Sequence, residues 1–244
     1  MVKQTYDESS IRVLRKLEPI QLRPGMYTRT TDPTHMVVEA IDNAVDEAMA
    51  GHARNIEVTL YRDGSVGVAD DGRGIPVGLH PEENVPTIQV VFQVIHSGGK
   101  FAKGEADSSY KFTGGLHGVG VSVTNALSTR LEVEVKREGK QHRIVFADGD
   151  VIEPLSVIGT CGMRNTGTAL RIWPNAKYFD SPALHRAELE HLLRAKAMLL
   201  PGVKVLLNIE TTTGFDVKEW HFEGGIAQYL DQMIAEDEPI APAF

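Results

Sequence analysis

The chain has few of the features that would mark a secreted or membrane protein. Its 244 residues include one cysteine, Cys161, so an internal disulfide is excluded and a reducing compartment is indicated. No apolar run approaches the ~20 residues that a membrane-spanning helix needs, and the polar residues 1–10 lack the apolar core of a signal peptide. The sequence therefore predicts a soluble protein of the cytoplasm.

Positive charge is also scarce. The chain has 25 Lys and Arg residues against 33 Asp and Glu residues, a net charge of -8, and no cluster of basic residues. A domain that grips duplex DNA usually carries clustered positive charge, because neutralised phosphates supply most of the affinity. If DNA is a partner, most of its binding surface must lie outside this chain.

The periodicity of the chain predicts an α+β fold. With 42% apolar and 24% charged residues, the composition suits a globular domain with one sizeable core. Strand pairs joined by hairpins, with helices between them, favour a two-layer sandwich of a mixed, mostly antiparallel sheet with helices on one face over a doubly wound sheet. We expect a short N-terminal helix ended by Pro19. Longer helices are predicted at about 33–50, 119–127, 185–199 and 226–234, and strands at 56–61, 65–69, 131–136, 143–146, 169–173, 203–209 and 217–222.

Three polar signatures follow one another between residues 39 and 120. They read Glu39-x-x-Asp42-Asn43, Asp70-x-Gly72-x-Gly74 and Gly114-Gly115-x-x-Gly118-x-Gly120. In that order they supply a base, a metal ligand, a purine acceptor and a phosphate cradle. A Walker motif is absent, because Gly99-Lys100 is followed by Phe101 and lacks the upstream spacing. The series predicts an ATP-binding and ATP-hydrolysing domain without a Walker loop.

The first signature lies on the helix predicted at 33–50. At 100° per residue, Glu39, Asn43 and Asp46 fall within roughly 60° of one another and opposite an apolar stripe. An amide oxygen and a carboxylate one turn apart can hold Mg²⁺ and deprotonate a water beside it. Taken alone, this pattern is more typical of a solvated helix face.

The second signature directly follows a predicted strand. A carboxylate at the end of a strand, Asp70, can accept a hydrogen bond from an exocyclic amine such as adenine N6, and the glycines let a planar ring approach the backbone. A tight turn would use the same residue types. Thr168 can hydrogen-bond a ligand or a water, although threonine in a strand is mostly structural.

The third signature is a glycine loop that runs into a helix. Backbone N–H groups without side chains in the way bind anions well. A dinucleotide-binding turn has the opposite glycine spacing and follows an apolar strand, which this loop does not. Lys100 and Lys111 flank the loop, and each can either reach phosphates or remain solvated.

These residues, in this order, resemble the GHKL ATPases, which include gyrase-type topoisomerases, histidine kinases and the mismatch-repair protein MutL. Segments 23–27, 42–52, 98–101 and 114–120 look like the N-terminal ATPase domain of type IIA topoisomerase B subunits. Segment 159–168 looks more like the topoisomerase IV branch of that family than the gyrase branch. No phosphoacceptor helix is evident, which argues against a histidine kinase.

The resemblance implies roles for individual residues. Glu39 would be the general base, Asn43 the Mg²⁺ ligand, and Asp70 the acceptor for adenine, with a water shared by Gly74 and Thr168. The other residues implied for the nucleotide pocket are Asp46, Arg73 near Glu47, Ile75 and Pro76. A lid over residues 97–120 would contact the phosphates through Lys100, Gly114, Gly115, Leu116, His117, Gly118, Val119 and Gly120. Competitive inhibitors would use Asp70, Arg73 and Thr168, with Arg137 at the pocket mouth.

The resemblance also implies a division of the chain. Residues 1–18 would form a dimerisation arm whose Tyr6 reaches the nucleotide of a second copy, so that ATP closes a gate around duplex DNA. Residues 19–222 would bind ATP, and 223–244 would lead to a transducer domain and an A-type subunit. That later domain carries a lysine for the γ-phosphate, so we expect this chain alone to bind ATP and hydrolyse it slowly. Two alternatives are an ATP-dependent clamp without hydrolysis and, more remotely, a nicotinamide-dependent oxidoreductase.

Overall fold

The computed structural model describes residues 13–95 and 119–234. In these ranges the chain forms one mixed sheet with helices packed on one face, which confirms the predicted α+β sandwich. The strands are β1 (Asn55–Leu60), β2 (Val66–Asp70), β3 (Ser128–Arg137), β4 (Lys140–Ala147), β5 (Asp150–Thr160), β6 (Gly167–Pro174), β7 (Lys204–Glu210) and β8 (Phe215–His221). The helices are α1 (Glu18–Leu22), α2 (Thr34–Met49), α3 (Thr87–Gln93), α4 (Gly120–Ala126), α5 (Arg186–Leu199) and α6 (Gly225–Ile234).

The strands lie in the order β5-β4-β3-β6-β2-β1-β7-β8. Neighbours are antiparallel except for β1 and β7, which are parallel. In this register Asp70 at the end of β2 pairs with Thr168 of β6, and Thr168 also pairs with Val135 of β3. The sheet therefore brings the acid of the second signature next to the threonine, although about a hundred residues separate them in sequence.

The turn between β1 and β2 is fastened to β6. Asp63 accepts hydrogen bonds from the Ser65 backbone N–H at 2.9 Å and from Trp173 Nε1 at 3.2 Å, and it forms an ion pair with Arg171 at 3.1 Å. The Arg171 guanidinium lies 4.1 Å from the centre of the Tyr61 ring. These contacts on the outer face hold β2 against β6 and thereby fix the register that positions Asp70.

Alternation along the strands separates a buried face from a polar face. In β3 the side chains of Leu131, Val133 and Val135 are buried beneath the helices, whereas Glu132 pairs with Arg143 of β4 at 3.2 Å on the other face. Successive side chains of a strand point to opposite faces, so one apolar residue in two is enough to cover the helical layer.

Helix α2 lies across the sheet on its apolar stripe. Asp32 accepts a hydrogen bond from the Thr34 backbone N–H at 2.9 Å where the helix begins, close to the predicted start. On the far side, Lys196 of α5 forms an ion pair with Asp42. The helix is thus fixed at its start and along its length.

One sequence-based prediction was wrong, and two elements of the fold were not predicted. Pro19 does not end a helix but lies in the first turn of α1, where a missing N–H costs nothing. Helix α3 was not predicted, because its apolar residues follow the proline-containing loop around Pro86 without a clear period. Strand β5 was not predicted because it is an edge strand with mostly exposed side chains and a proline, Pro154, so it lacks the alternation on which the prediction relied.

No helix in the part of the chain that the structure describes has the length and apolar character needed to cross a membrane.

Replacing Phe92 by alanine tests the core beneath the helices. The Phe92 side chain is fully buried, and its ring centre lies 5.6 Å from that of Phe146. We expect Phe92→Ala to lower the free energy of unfolding by about 3–5 kcal/mol, because it removes buried apolar surface and leaves a cavity. Urea denaturation followed by circular dichroism measures the change.

The matched control is Phe215→Ala on edge strand β8. The Phe215 side chain is 53% exposed, so its removal should change the free energy of unfolding by only about 0.5 kcal/mol. Equal losses in the two variants would contradict the assignment of Phe92 to the core.

Candidate active site

The polar stripe of α2 forms one wall of the candidate site. Glu39 and Asn43 are half-buried, Asp46 is fully buried, and the Glu47 side chain is 12% exposed. The apolar stripe opposite packs on the sheet, as the spacing predicted, with Ile41 wholly buried. The four polar residues therefore follow one face of the helix for more than two turns.

The second signature forms a turn at the end of β2. The Gly72 backbone N–H donates to Asp70 Oδ1 at 2.8 Å. The next carboxylate, Asp71, points the other way and accepts from the backbone N–H groups of Arg54 at 2.7 Å and Asn55 at 2.8 Å. Asp71 therefore pins the turn to β1, and Asp70 is left on the inner face beside α2.

Gly74 lets the turn lie flat against two other strands. Its φ of +74° is in the left-handed region, and a Cβ at this position would lie 2.8 Å from the Lys136 carbonyl oxygen. The Gly74 carbonyl accepts from Arg137 Nη1 at 2.8 Å, and the Ile75 backbone N–H donates to Thr168 Oγ1 at 3.3 Å. Because that bond uses the oxygen of Thr168 as the acceptor, its hydroxyl proton can be donated to a ligand or a water.

Glu47 joins α2 to this turn. Its carboxylate accepts from the Arg73 backbone N–H at 3.0 Å, from Nε at 3.2 Å and from Nη2 at 2.9 Å. A Cβ on Gly72 would lie 2.8 Å from Glu47 Oε2. The forked guanidinium–carboxylate geometry holds Arg73 across the site, and it confirms the expected proximity of Arg73 and Glu47.

Burial dominates the electrostatics of Asp70. Burial raises the pKa of the Asp70 carboxyl, and the nearby charges of Glu47 and Asp71 add to this effect. Hydrogen bonds from the Gly72 and Thr168 backbone N–H groups oppose it, and the resulting pKa is about 7. Near neutral pH the carboxyl is therefore divided between its two protonation states. A donor that satisfies it would stabilise the charged form.

The beginning of α4 rests on the carboxylate of Glu39. A Cβ on Gly120 would overlap Glu39 Oε2 and lie 3.2 Å from the Glu39 Cβ. A larger residue at position 120 would therefore require the Glu39 side chain to shift. Glu39 precedes Glu47 by eight residues on α2, so these ends of the site are about 12 Å apart along the helix axis. The site is elongated, with the Asp70 turn at one end and Glu39 at the other.

One residue of this region was not identified from the sequence. His35 precedes Glu39 by four residues and therefore lies on the same face of α2. Its Nδ1 is 2.9 Å from Thr28 Oγ1, which orients the ring. The four-residue spacing to Glu39 was the available signal, but His35 shows no metal-ligand spacing and so gave no prediction.

Several predicted site residues lie outside the described residues. They are Tyr6, Lys100, Lys111, Gly114, Gly115, Leu116, His117 and Gly118. Val119 and Gly120 lie inside them, directly before and at the first residue of α4. Pro76 follows Ile75 and is exposed at the edge of the turn.

The residues present fit a magnesium ion held together with phosphates. Within 13–95 and 119–234, no group of three or more His, Cys, Asp or Glu side chains is arranged to hold a metal by itself. Mg²⁺ bound to a nucleotide needs only one or two protein oxygens, with phosphate and water completing its shell. The half-buried Asn43 amide, one turn from Glu39, can provide such an oxygen.

Asp70→Asn tests the electrostatic state of this carboxyl. The pKa of the Asp70 carboxyl is 3.8 in the unfolded chain and about 7 in the folded chain. Between these pH values the folded state therefore holds a proton that the unfolded state has lost. The stability that this proton supplies is complete below the lower value and is lost as pH rises through the upper one. At about 1.4 kcal/mol per pKa unit the upper limit is about 4 kcal/mol. We therefore expect the stability of Asp70→Asn relative to wild type to increase from pH 5 to pH 8.

Urea midpoints at pH 5, 6, 7 and 8 for both proteins measure this difference. The contributions of groups that do not interact with Asp70 are the same in both proteins and cancel in the comparison. Parallel curves across this window would show that burial does not perturb Asp70.

Known proteins have sequences similar to that of this chain. Residues 28–172 match the family of histidine kinase-, DNA gyrase B- and HSP90-like ATPases. The B subunit of DNA topoisomerase 4 from Pseudomonas aeruginosa is 51% identical over 96% of this chain and 37% of its own length. The B subunit of DNA gyrase from Thermotoga maritima is 46% identical over 93% of this chain and 35% of its own length. The chain thus spans just over a third of these relatives.

A solved structure shows the same fold. The topoisomerase IV ATP-binding domain of Francisella tularensis, solved with a small-molecule inhibitor, is 44% identical and superimposes with a TM-score of 0.78 over 95% of this chain and 61% of that one. The predicted resemblance to the ATPase domains of topoisomerase B subunits, first of topoisomerase IV and then of gyrase, is confirmed. The chain belongs to the family of histidine kinase-, DNA gyrase B- and HSP90-like ATPases.

Proposed function

We propose that this chain is the ATPase domain of a type IIA topoisomerase, of the topoisomerase IV kind, and that it binds and hydrolyses Mg-ATP. The observation that carries the proposal is the placement of Asp70 and Glu39 at opposite ends of one site walled by α2. An elongated ligand with a polar purine at one end and phosphates at the other matches that arrangement.

At the Asp70 end, the purine amine donates to the carboxylate. Asp70 Oδ1 is already bonded to the Gly72 N–H, so its second oxygen serves the ligand. Thr168 can donate its hydroxyl proton to a bridging water, and Arg73, held by Glu47, covers one side of the ring. A buried acceptor that requires a donor distinguishes adenine, which has an exocyclic amine at this position, from guanine, which has a carbonyl.

At the other end, Glu39 takes a proton from the water that attacks the γ-phosphate. The Asn43 amide would hold Mg²⁺, which neutralises phosphate charge when bound. Glu39 is half-buried between α2 and the first residue of α4. A general base must be held close to the water that it deprotonates, and the contact with Gly120 limits where the Glu39 carboxylate can lie.

The proposal for the whole protein rests on the relatives. Those proteins are named as subunits of DNA topoisomerases, and this chain covers just over a third of their length. We propose that ATP brings two copies together through residues 1–18, that residues 223–244 lead to a transducer domain, and that DNA and an A-type subunit are bound beyond it. The net charge of -8 supports a DNA surface outside this chain.

Glu39→Gln tests the catalytic part of the proposal. We expect single-turnover hydrolysis of ATP, measured with the protein in excess because turnover in this chain should be slow, to fall by about 10²–10⁴. The affinity for a non-hydrolysable ATP analogue should change little, since Gln fills the same space. Glu82→Gln, an exposed substitution in the loop before α3, is the matched control.

Full hydrolysis by Glu39→Gln would reject Glu39 as the base. If wild type binds the analogue with Mg²⁺ and shows no hydrolysis beyond that of Glu39→Gln, the chain is instead a clamp operated by binding alone.

Asp70→Asn tests the purine end. Because the Gly72 N–H retains Oδ1, the new amide NH₂ would face the adenine amine, donor against donor. We expect affinity for the ATP analogue to fall about tenfold or more, the equivalent of one charge-assisted hydrogen bond. Thermal shifts with ATP and GTP analogues, with and without Mg²⁺, report affinity directly. An undiminished preference for adenine in the variant would contradict the assignment.

A further inference from the structure

Helix α4 places two small residues against α2. Gly120 and Thr124 are one turn apart and therefore share a face. Gly120 contacts the carboxylate of Glu39, and Thr124, which is fully buried, contacts the preceding turn of α2. The two contacts are adjacent at the crossing of the two helices.

The Thr124 hydroxyl connects the two helices by a hydrogen bond. Its Oγ1 lies 3.1 Å from the Met36 carbonyl oxygen in α2 and 3.1 Å from the Gly120 carbonyl oxygen in α4. Because the hydroxyl has one proton and both partners are acceptors, the two hydrogen bonds share that proton. The bond to the residue four positions earlier is the ordinary local one for a threonine in a helix. The bond to Met36 is different, because it crosses to the helix that carries Glu39 three residues later.

The hydrogen bond to Met36 helps to fix the position of Glu39. A helix is rigid over one turn, so fixing the Met36 carbonyl relative to α4 also fixes the Cα of Glu39 relative to Gly120. A Cβ on Gly120 would overlap the carboxylate, so a small shift of α4 relative to α2 changes where that carboxylate can lie. Displacement of a catalytic group by about 1 Å can reduce a rate about a hundredfold.

We infer that Thr124 is a positioning residue for Glu39, acting through the α2–α4 hydrogen bond without touching nucleotide or water. This inference rests on the proposed role of Glu39 as the base. The proposed effect depends on the hydroxyl group of Thr124, because valine would fill almost the same volume and provide the same apolar contact.

Ser128 offers a comparison. Its hydroxyl is also buried and donates to the Thr124 carbonyl oxygen at 2.6 Å, and the described contacts give it no bond to α2. Loss of this hydroxyl removes a buried hydrogen bond at the other end of α4 and leaves the bond to Met36 in place.

The test compares Thr124→Val, Thr124→Ser, Ser128→Ala and Glu39→Gln in the whole chain. Single-turnover ATP hydrolysis gives the rate, titration with a non-hydrolysable ATP analogue gives the dissociation constant, and thermal unfolding gives the midpoint. We expect Thr124→Val to lower the rate about tenfold with less than about a twofold change in the dissociation constant. Thr124→Ser should keep the rate within about threefold of wild type, and Ser128→Ala should match Thr124→Val in stability loss but hydrolyse normally.

If valine prevents folding, Thr124→Ala removes the same hydroxyl and takes its place. A wild-type rate in the hydroxyl-free variant would overturn the inference, as would equal rate losses in the valine and serine variants. A parallel loss of rate and affinity would also overturn it, since that result indicates general disturbance. If Glu39→Gln is inactive while Thr124→Val is fully active, only this inference fails. If Glu39→Gln hydrolyses normally, the proposed role of Glu39 as the base fails together with this inference.

Discussion

The packing of α2 across the centre of the sheet is the constraint on which the site depends. One side of this helix is apolar and lies against the strands, so its other side must carry the polar residues that the core cannot accept. Glu47 then binds Arg73 at one end, and Gly120 of α4 approaches Glu39 at the other. A single helix thus sets the length and the two chemical ends of the site.

The site holds several carboxyl groups where little solvent reaches them, and without a ligand this lowers the stability of the protein. Burial and the neighbouring charge of Glu47 together raise the pKa of Asp70 to about 7. Burial also acts on Asp71, but hydrogen bonds donated by Asn55 and Arg54 outweigh it and hold the pKa of that carboxyl below its usual range. Two adjacent aspartates therefore differ in role: one fixes the turn, and the other is left to accept a hydrogen bond from a ligand.

Sequence patterns predicted the features that depend on residues close together in the chain. The stripe on α2, the hairpin at Asp63 and the strand that delivers Asp70 all followed from periodicity and turn chemistry. Edge strand β5 and the short α3 were not predicted, because tertiary packing rather than an internal pattern stabilises them. The bond from Thr124 to Met36 joins distant segments, so no local rule could reveal it. Asp70 and Thr168 are also distant in sequence, and their nearness was expected only from the family resemblance.

A crystal structure of this chain with a non-hydrolysable ATP analogue and Mg²⁺ would show whether one nucleotide spans the site from Asp70 to Glu39. We expect the adenine amine within hydrogen-bonding distance of the Asp70 carboxylate, Mg²⁺ at the Asn43 amide, and the γ-phosphate at the Glu39 end of α2. Adenine bound away from Asp70, or phosphates lying at the Asp70 end of the site, would contradict it.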